Sequence, residues 1–144
     1  MKLRKRWWFW PMWILLLLGG CVFLQFENKS LVTSRYVYTN QSLPASLEGF
    51  RIVHLSDLHS TSFGKEQSRL IEQISSLQPN LIVLTGDLID ARRTKKEEQL
   101  SPALKLAEQA ARIAPVYYVP GNHEADSRLY PTLRKELSLR GVTV

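Results

Sequence analysis

Beyond residue 50 the chain alternates between two hydrophobic patterns. Short, nearly continuous apolar runs stand at residues 51–55 (RIVHL), 81–85 (LIVLT), 116–119 (VYYV) and 142–144 (VTV), and their length and β-branched content predict strands. Between them, apolar residues recur at helical spacing. Leu70, Ile74 and Leu77 share one side of a helix predicted over 65–77, and Leu104, Ala107 and Ala111 share one side of a second. Ser101 caps that second helix, Pro102 suits its first position and Pro115 stops it. A third helix is predicted from a cap at Asp126 to Leu139. Strands joined by helices of this length form a mostly parallel sheet covered by helices, with right-handed crossovers. The expected fold class is therefore α/β, in the order βαβαβα with a fourth strand beginning at the end.

The first 49 residues break this rhythm. Residues 7–26 contain no charge and include five consecutive aliphatic residues from Ile14 to Leu18, which is roughly the length that spans bilayer hydrocarbon. Trp7, Trp8, Trp10 and Trp13 crowd its first third, and Lys2, Arg4, Lys5 and Arg6 precede it. Indoles suit the headgroup region and basic residues stay cytoplasmic, so 1–6 is expected as a cytoplasmic tail, 7–26 as a single membrane helix and everything beyond Glu27 as outward-facing. A cleaved secretory signal has a shorter apolar region. The stretch Leu18-Gly19-Gly20-Cys21 also fits a lipoprotein box with Cys21 as the acylated residue, but Val22, Phe23, Leu24 and Phe26 continue the apolar run. Residues 27–49, with Asn28, Ser30, Asn40, Ser42, Pro44 and Gly49, predict a tether enclosing one short strand near 32–38.

Composition changes this picture little. Four of the 19 basic residues lie in the first six positions, which leaves 15 against 13 acidic residues and makes the net charge of +6 mostly a property of the N-terminus. Nucleic-acid binding is not expected from it. The single cysteine excludes an intrachain disulfide and a cysteine metal site. Gly64-Lys65 lacks the spacing of a nucleotide P-loop, and no G-x-S-x-G motif is present.

Chemistry concentrates just after three of the predicted strands. The first leads into Ser56-Asp57-Leu58-His59, the second into Gly86-Asp87-Leu88-Ile89-Asp90, the third into Gly121-Asn122-His123-Glu124. The 30 residues from Asp57 to Asp87 and the 35 from Asp87 to Asn122 each match one strand–helix–strand unit, so all three clusters are expected along the carboxyl edge of one sheet. Carboxylates, imidazole and amide without sulfur suit divalent Mn, Fe, Zn or Ni. Without such ions, Asp57 and Asp87 would repel each other.

The three motifs D-x-H, G-D-x-x-D and G-N-H-E, in that order, resemble the calcineurin-like metallophosphoesterase family, and in their context the bacterial membrane-associated phosphodiesterase branch. The resemblance covers residues 50–144. It implies the first half of a metallophosphoesterase α/β sandwich, with Asp57 and His59 on one metal ion, Asp87 bridging two, Asn122 on the second, and His123 stabilising the charge on the scissile phosphate or protonating the leaving oxygen. Asp90 and Glu124 would support these groups without binding metal. Two ions about 3.5 Å apart would generate an attacking hydroxide and clamp the phosphoryl oxygens.

Family members carry further histidine ligands downstream, including a G-H-x-H loop, whereas only His54, His59 and His123 occur here. The chain thus reads as the N-terminal half of such an enzyme, with a non-catalytic tethered remnant as the alternative. Ala91 stands where phosphoprotein phosphatases of the family carry arginine, which disfavours that activity. The expected substrate is a phosphodiester or pyrophosphate, in an envelope lipid or wall component. Arg92, Arg93, Lys95 and Lys96 could attract an anion but read first as a solvated loop. His54 is expected in the core, and Tyr117 and Tyr118 as packing residues.

Overall fold

A computed structural model describes residues 9–27, with side chains through Cys21, and residues 30–144. It divides into two compact units, Met1–Val37 and Tyr38–Val144. In the first, helix α1 (Phe9–Glu27) leaves Trp10, Trp13, Leu15 and Leu17 exposed, along with Cys21. Among the described residues no helix is long and apolar enough to cross a membrane. The span expected over 7–26 begins at positions outside the described residues, and its side chains from position 22 onward lie outside them too. The strand expected near 32–38 does not form: residues 31–40 are irregular, and Val32, Tyr36 and Val37 are exposed. Backbone groups need a neighbouring strand to make a ladder, and none of the described strand pairings includes this segment.

The second unit is built on four parallel strands, β1 (Ile52–Leu55), β2 (Leu81–Leu84), β3 (Val116–Tyr118) and β4 (Val142–Thr143), lying side by side in chain order. The α/β class and the parallel sheet follow the expectation. Right-handed crossovers between strands that advance in one direction place every connecting helix on the same face, and burial agrees. Ile82, Leu84, Val116, Tyr118 and Val142 are buried beneath α2 (Ser68–Ser76), α3 (Ser101–Ala110) and α5 (Tyr130–Leu139). On the opposite face Ile52, Tyr117 and Val119 are at least half exposed. His54, in register with Val83 on that open face, is exposed rather than in the core, with Nε2 2.6 Å from Thr85 Oγ1.

The helices differ from the sequence expectation in detail. Residues Lys65–Gln67 form a 3₁₀ turn, with Glu66 and Gln67 in the left-handed region, and α2 starts at Ser68. The buried Gln67 side chain explains the delay, since it accepts from Phe63 N (2.8 Å) and donates to Thr61 O (2.8 Å) and Pro102 O (3.1 Å). In α3 the buried stripe is Ala103, Leu106, Ala107 and Ala110, rotated from the predicted side so that Leu104 and Ala111 are only half-buried. Asp126 closes a one-turn helix, α4 (Asn122–Ala125), instead of opening the third long helix; α5 begins at Tyr130 with Pro131 in its first turn. The short α4 was not predicted.

Candidate metal centre

Parallel register aligns Leu55 with Leu84 and Leu84 with Tyr118, so the three motif loops leave the sheet at one edge. The first two are then zipped together by main-chain hydrogen bonds: Asp57 N to Gly86 O (3.2 Å), His59 N to Asp87 O (2.9 Å) and Ser60 N to Leu88 O (2.9 Å). This zipper requires unusual backbone. Asp57, His59, Ser60 and Asp87 all have positive φ, between 47° and 58°, a conformation that persists in non-glycine residues only where surrounding bonds over-determine it.

The second and third loops meet through two glycines. A Cβ on Gly86, whose φ is +88°, would lie 2.2 Å from Gly121 N, and one on Gly121 would lie 2.3 Å from Asp87 Oδ1. Only glycine at both places lets the backbones touch. The fully buried carboxylate of Glu124 locks the contact: Oε2 accepts from Asp87 N (2.7 Å) and Gly121 N (2.8 Å), and Oε1 accepts from Ile89 N (3.1 Å). Asp87 Oδ1 reciprocates by accepting from His123 N at 2.9 Å.

Within this frame His59, Asp87 and His123 each present a ligand atom within 4.8 Å of the others. The two imidazole rings meet edge to face, with centroids 4.6 Å apart. Asp57 stands outside that trio; its exposed carboxylate reaches His59, with Oδ1 3.6 Å from Nε2. Asn122 is exposed on α4 and its side-chain amide has no hydrogen-bond partner among the described residues. His123 Nδ1 accepts the Ala91 N–H at 3.1 Å. A neutral imidazole whose Nδ1 lone pair is so engaged carries its proton on Nε2, and an Nε2–H can donate to an anion but cannot ligate a cation.

The four carboxylates of the edge fall into two kinds. Asp90, buried, accepts from Arg92 N (2.9 Å), Arg93 N (3.3 Å) and Arg93 Nε (2.6 Å). Its burial raises the pKa, but the Arg93 guanidinium and the two main-chain donors outweigh it and lower the pKa from 3.8 to about 2. Its Oδ1 also lies 3.8 Å from His123 Nδ1. Glu124 is consumed by three N–H groups. Asp57 and Asp87, in contrast, have no lysine or arginine partner among the described residues. Two carboxylates left uncompensated beside an imidazole and a free amide fit divalent cations.

The chain matches the model of the calcineurin-like phosphoesterases over residues 50–141, which takes in all three loops. It belongs to that family. Its relatives are metallophosphoesterases, and hydrolase activity is the family's chemistry. It is 31% identical to a Danio rerio "transmembrane protein with metallophosphoesterase domain" over 86 residues, 58% of this chain and 19% of that protein. It is 30% identical to the Bacillus subtilis metallophosphoesterase YkuE over 84 residues, 56% of this chain and 29% of that one. With the Chlamydia trachomatis "UDP-2,3-diacylglucosamine pyrophosphatase LpxG" it shares 42% identity over 74 residues, 46% of this chain and 22% of that protein. The chain thus spans less than a third of the length of these relatives. No solved structure matches it.

The structure brings together His59, Asp87 and His123, sets Asp57 and Asn122 on the exposed side, and puts Asp90 and Glu124 beneath. Sequence reasoning missed the Ala91 N–H on His123 and the bond between Ser60 Oγ and Thr94 Oγ1 at 2.8 Å that ties the second loop to the first. A main-chain donor leaves no residue-type signal, and Thr94 sits among charged residues with nothing to mark it.

Proposed function

We propose that this chain carries the metal-binding edge of a membrane-tethered hydrolase that cleaves phosphodiester or pyrophosphate bonds. The carrying observation is the pair of uncompensated carboxylates, Asp57 and Asp87, on two loops that the family motifs predict and that main-chain hydrogen bonds join. In this reading Asp57, His59, Asp87 and Asn122 would hold divalent ions, with Asp57 and His59 serving one, Asn122 another and Asp87 shared between them. Ions held there would neutralise substrate charge and acidify water enough for it to attack phosphorus near neutral pH. His123, with its proton on Nε2, donates to a phosphoryl or leaving oxygen. Asp90 and Glu124 hold the loops that carry these groups.

A pyrophosphate bond in a lipid-linked substrate is supported by the relative named as a UDP-2,3-diacylglucosamine pyrophosphatase. A tether over residues 7–26, with the N-terminus cytoplasmic and the domain outside, is supported by the basic start, the exposed apolar side chains of α1 and the printed names of two relatives. Such an anchor confines the site to substrates near the bilayer.

Four measurements test this. The chain purified without chelators should contain bound manganese, iron, zinc or nickel by elemental analysis, and Asp87→Asn should weaken manganese binding at least tenfold, as expected for a bridging ligand. A metal-free protein, or unchanged affinity in Asp87→Asn, ends the assignment. Metal binding without cleavage of bis-p-nitrophenyl phosphate would instead favour a non-catalytic tethered protein. For topology, protease added to intact cells should digest the domain, and protection would reverse the orientation.

A further inference from the structure

The three loops at this edge differ sharply in charge. Residues 56–64, after β1, contain no lysine or arginine, and residues 119–128, after β3, contain only Arg128 at their far end. Residues 85–96, after β2, contain Arg92, Arg93, Lys95 and Lys96. An anion lying against the site therefore meets fixed positive side chains mainly on one flank.

Two of those four cations are already engaged. Arg93 Nε sits 2.6 Å from Asp90 Oδ2, and Lys95 Nζ donates to Ala91 O at 2.6 Å. Arg92 is exposed and its guanidinium has no partner among the described residues. Its backbone, however, is held by hydrogen bonds. Its own N–H is bound to Asp90 Oδ1 at 2.9 Å, and the N–H of Ala91 just before it is bound to the His123 ring at 3.1 Å. Thr94 N donates to Asp90 O at 2.7 Å, and the buried Thr94 hydroxyl is tied to Ser60. The loop thus holds an uncommitted, planar, five-donor cation one residue from the group that abuts His123, on a backbone that does not have to be ordered when a ligand arrives.

We propose that Arg92 is a substrate-binding residue that grips a second anionic group, next to the phosphate seated at the metal edge, and so selects pyrophosphate-type substrates over simple phosphodiesters. This deepens the function proposed above and rests on it for the position of the first phosphate. A simple diester presents one negative charge and has nothing for Arg92 to hold. A pyrophosphate diester presents two, and a guanidinium pairs with phosphoryl oxygens through two parallel hydrogen bonds. Charge-assisted bonds of that kind correspond to about a tenfold or greater difference in affinity.

The test is a calorimetric titration of the full chain, in mild detergent, with P1,P2-dimethyl pyrophosphate and with dimethyl phosphate. These weakly chelating probes differ by one phosphoryl group. Each titration is run with and without manganese, alongside a separate manganese titration. The expected result is that the pyrophosphate binds about tenfold or more tightly than the monophosphate. Arg92→Ala should abolish that margin, Arg92→Lys should restore part of it, and manganese affinity should not change. Lys135→Ala, an exposed cation on α5, should leave the margin intact. An equal preference in wild type and Arg92→Ala, no preference in wild type, or an equal loss in Lys135→Ala would overturn the role of Arg92. Failure to bind manganese at all would strike the proposed function instead, and the metal-free margin, compared between wild type and Arg92→Ala, would then decide the case for Arg92.

Discussion

The main-chain N–H of Asp87 donates to Glu124 Oε2 at 2.7 Å, joining the loop after β2 to the loop after β3 across 37 residues of sequence. The residue expected to bridge two metal ions therefore has its backbone held by a residue expected to support the site without binding metal. Glu124 takes two further N–H groups, from Gly121 and Ile89.

Replacing Glu124 with alanine strands three donors at once. Each buried donor left without a partner costs about 1–3 kcal/mol, and local relaxation recovers part of the sum. Glu124→Ala is expected to lower unfolding free energy by roughly 3 kcal/mol or more, read from urea denaturation, and to weaken manganese binding although no ligand has been removed. A variant as stable as wild type would show that solvent replaces the carboxylate freely.

The glycine contact makes a second, sharper comparison. Gly86→Ala would drive a methyl to 2.2 Å from Gly121 N, against main chain that cannot swing aside, whereas at Gly141 the nearest atom to a new Cβ is 3.9 Å away. Both glycines have positive φ, +88° and +83°. Gly141→Ala should cost only the conformational term, about 1 kcal/mol. Gly86→Ala should cost several times more, or abolish folding, as compared by thermal melts of the two variants. Similar melting temperatures would mean the loops can separate without penalty.

Tyr118 supplies a test in the opposite direction. Its hydroxyl is buried without a hydrogen-bond partner among the described residues, and burial, followed by the nearby Glu124, Tyr130 and Asp87, pushes its pKa well above the usual phenol range. Removing an unpaired buried polar atom relieves a desolvation penalty of about 1–3 kcal/mol while leaving the ring in place. Tyr118→Phe should thus be neutral or more stable than wild type. A loss above about 1 kcal/mol would indicate that the hydroxyl is hydrogen-bonded in solution.

Acid sensitivity should report on Asp90. Its pKa falls from 3.8 to about 2 on folding, so the folded state binds the proton less readily than the unfolded state. Its contribution is complete above the unfolded value and disappears as pH drops through the folded one. The stability difference between wild type and Asp90→Asn is therefore expected to be constant above about pH 4 and to shrink as pH falls toward 2. A difference independent of pH across that window would mean that hydrogen-bond geometry, not charge, is what Asp90 provides.

The parallel sheet was legible because its strands are short apolar runs whose spacing leaves room for one helix each, and because parallel pairing needs only those facts. The three loops were legible for a related reason: motif residues two positions beyond a strand must emerge at its carboxyl end. What the sequence did not reveal depends on contacts between distant segments. The late start of α2 comes from the Gln67 side chain reaching Pro102, 35 residues away. The rotation of α3 comes from which of its small residues the neighbouring helices press against. His54 looked like a core residue because Ile52, Val53 and Leu55 around it are apolar, yet sequential strand order puts the helices on one face and His54 on the other. The segment at 32–38 has strand-forming residues and no ladder to join, which propensity alone cannot register.

The side-by-side order of the four strands also bears on how the molecule comes into being. Each strand pairs with the one made just before it, so as synthesis proceeds the sheet can lengthen at a single growing border. The loops after β1 and β2 can meet early, but Asp87 gains its carboxylate anchor only once Glu124 has emerged. The border proposed to hold cations is accordingly the last part of this edge to become rigid during biogenesis.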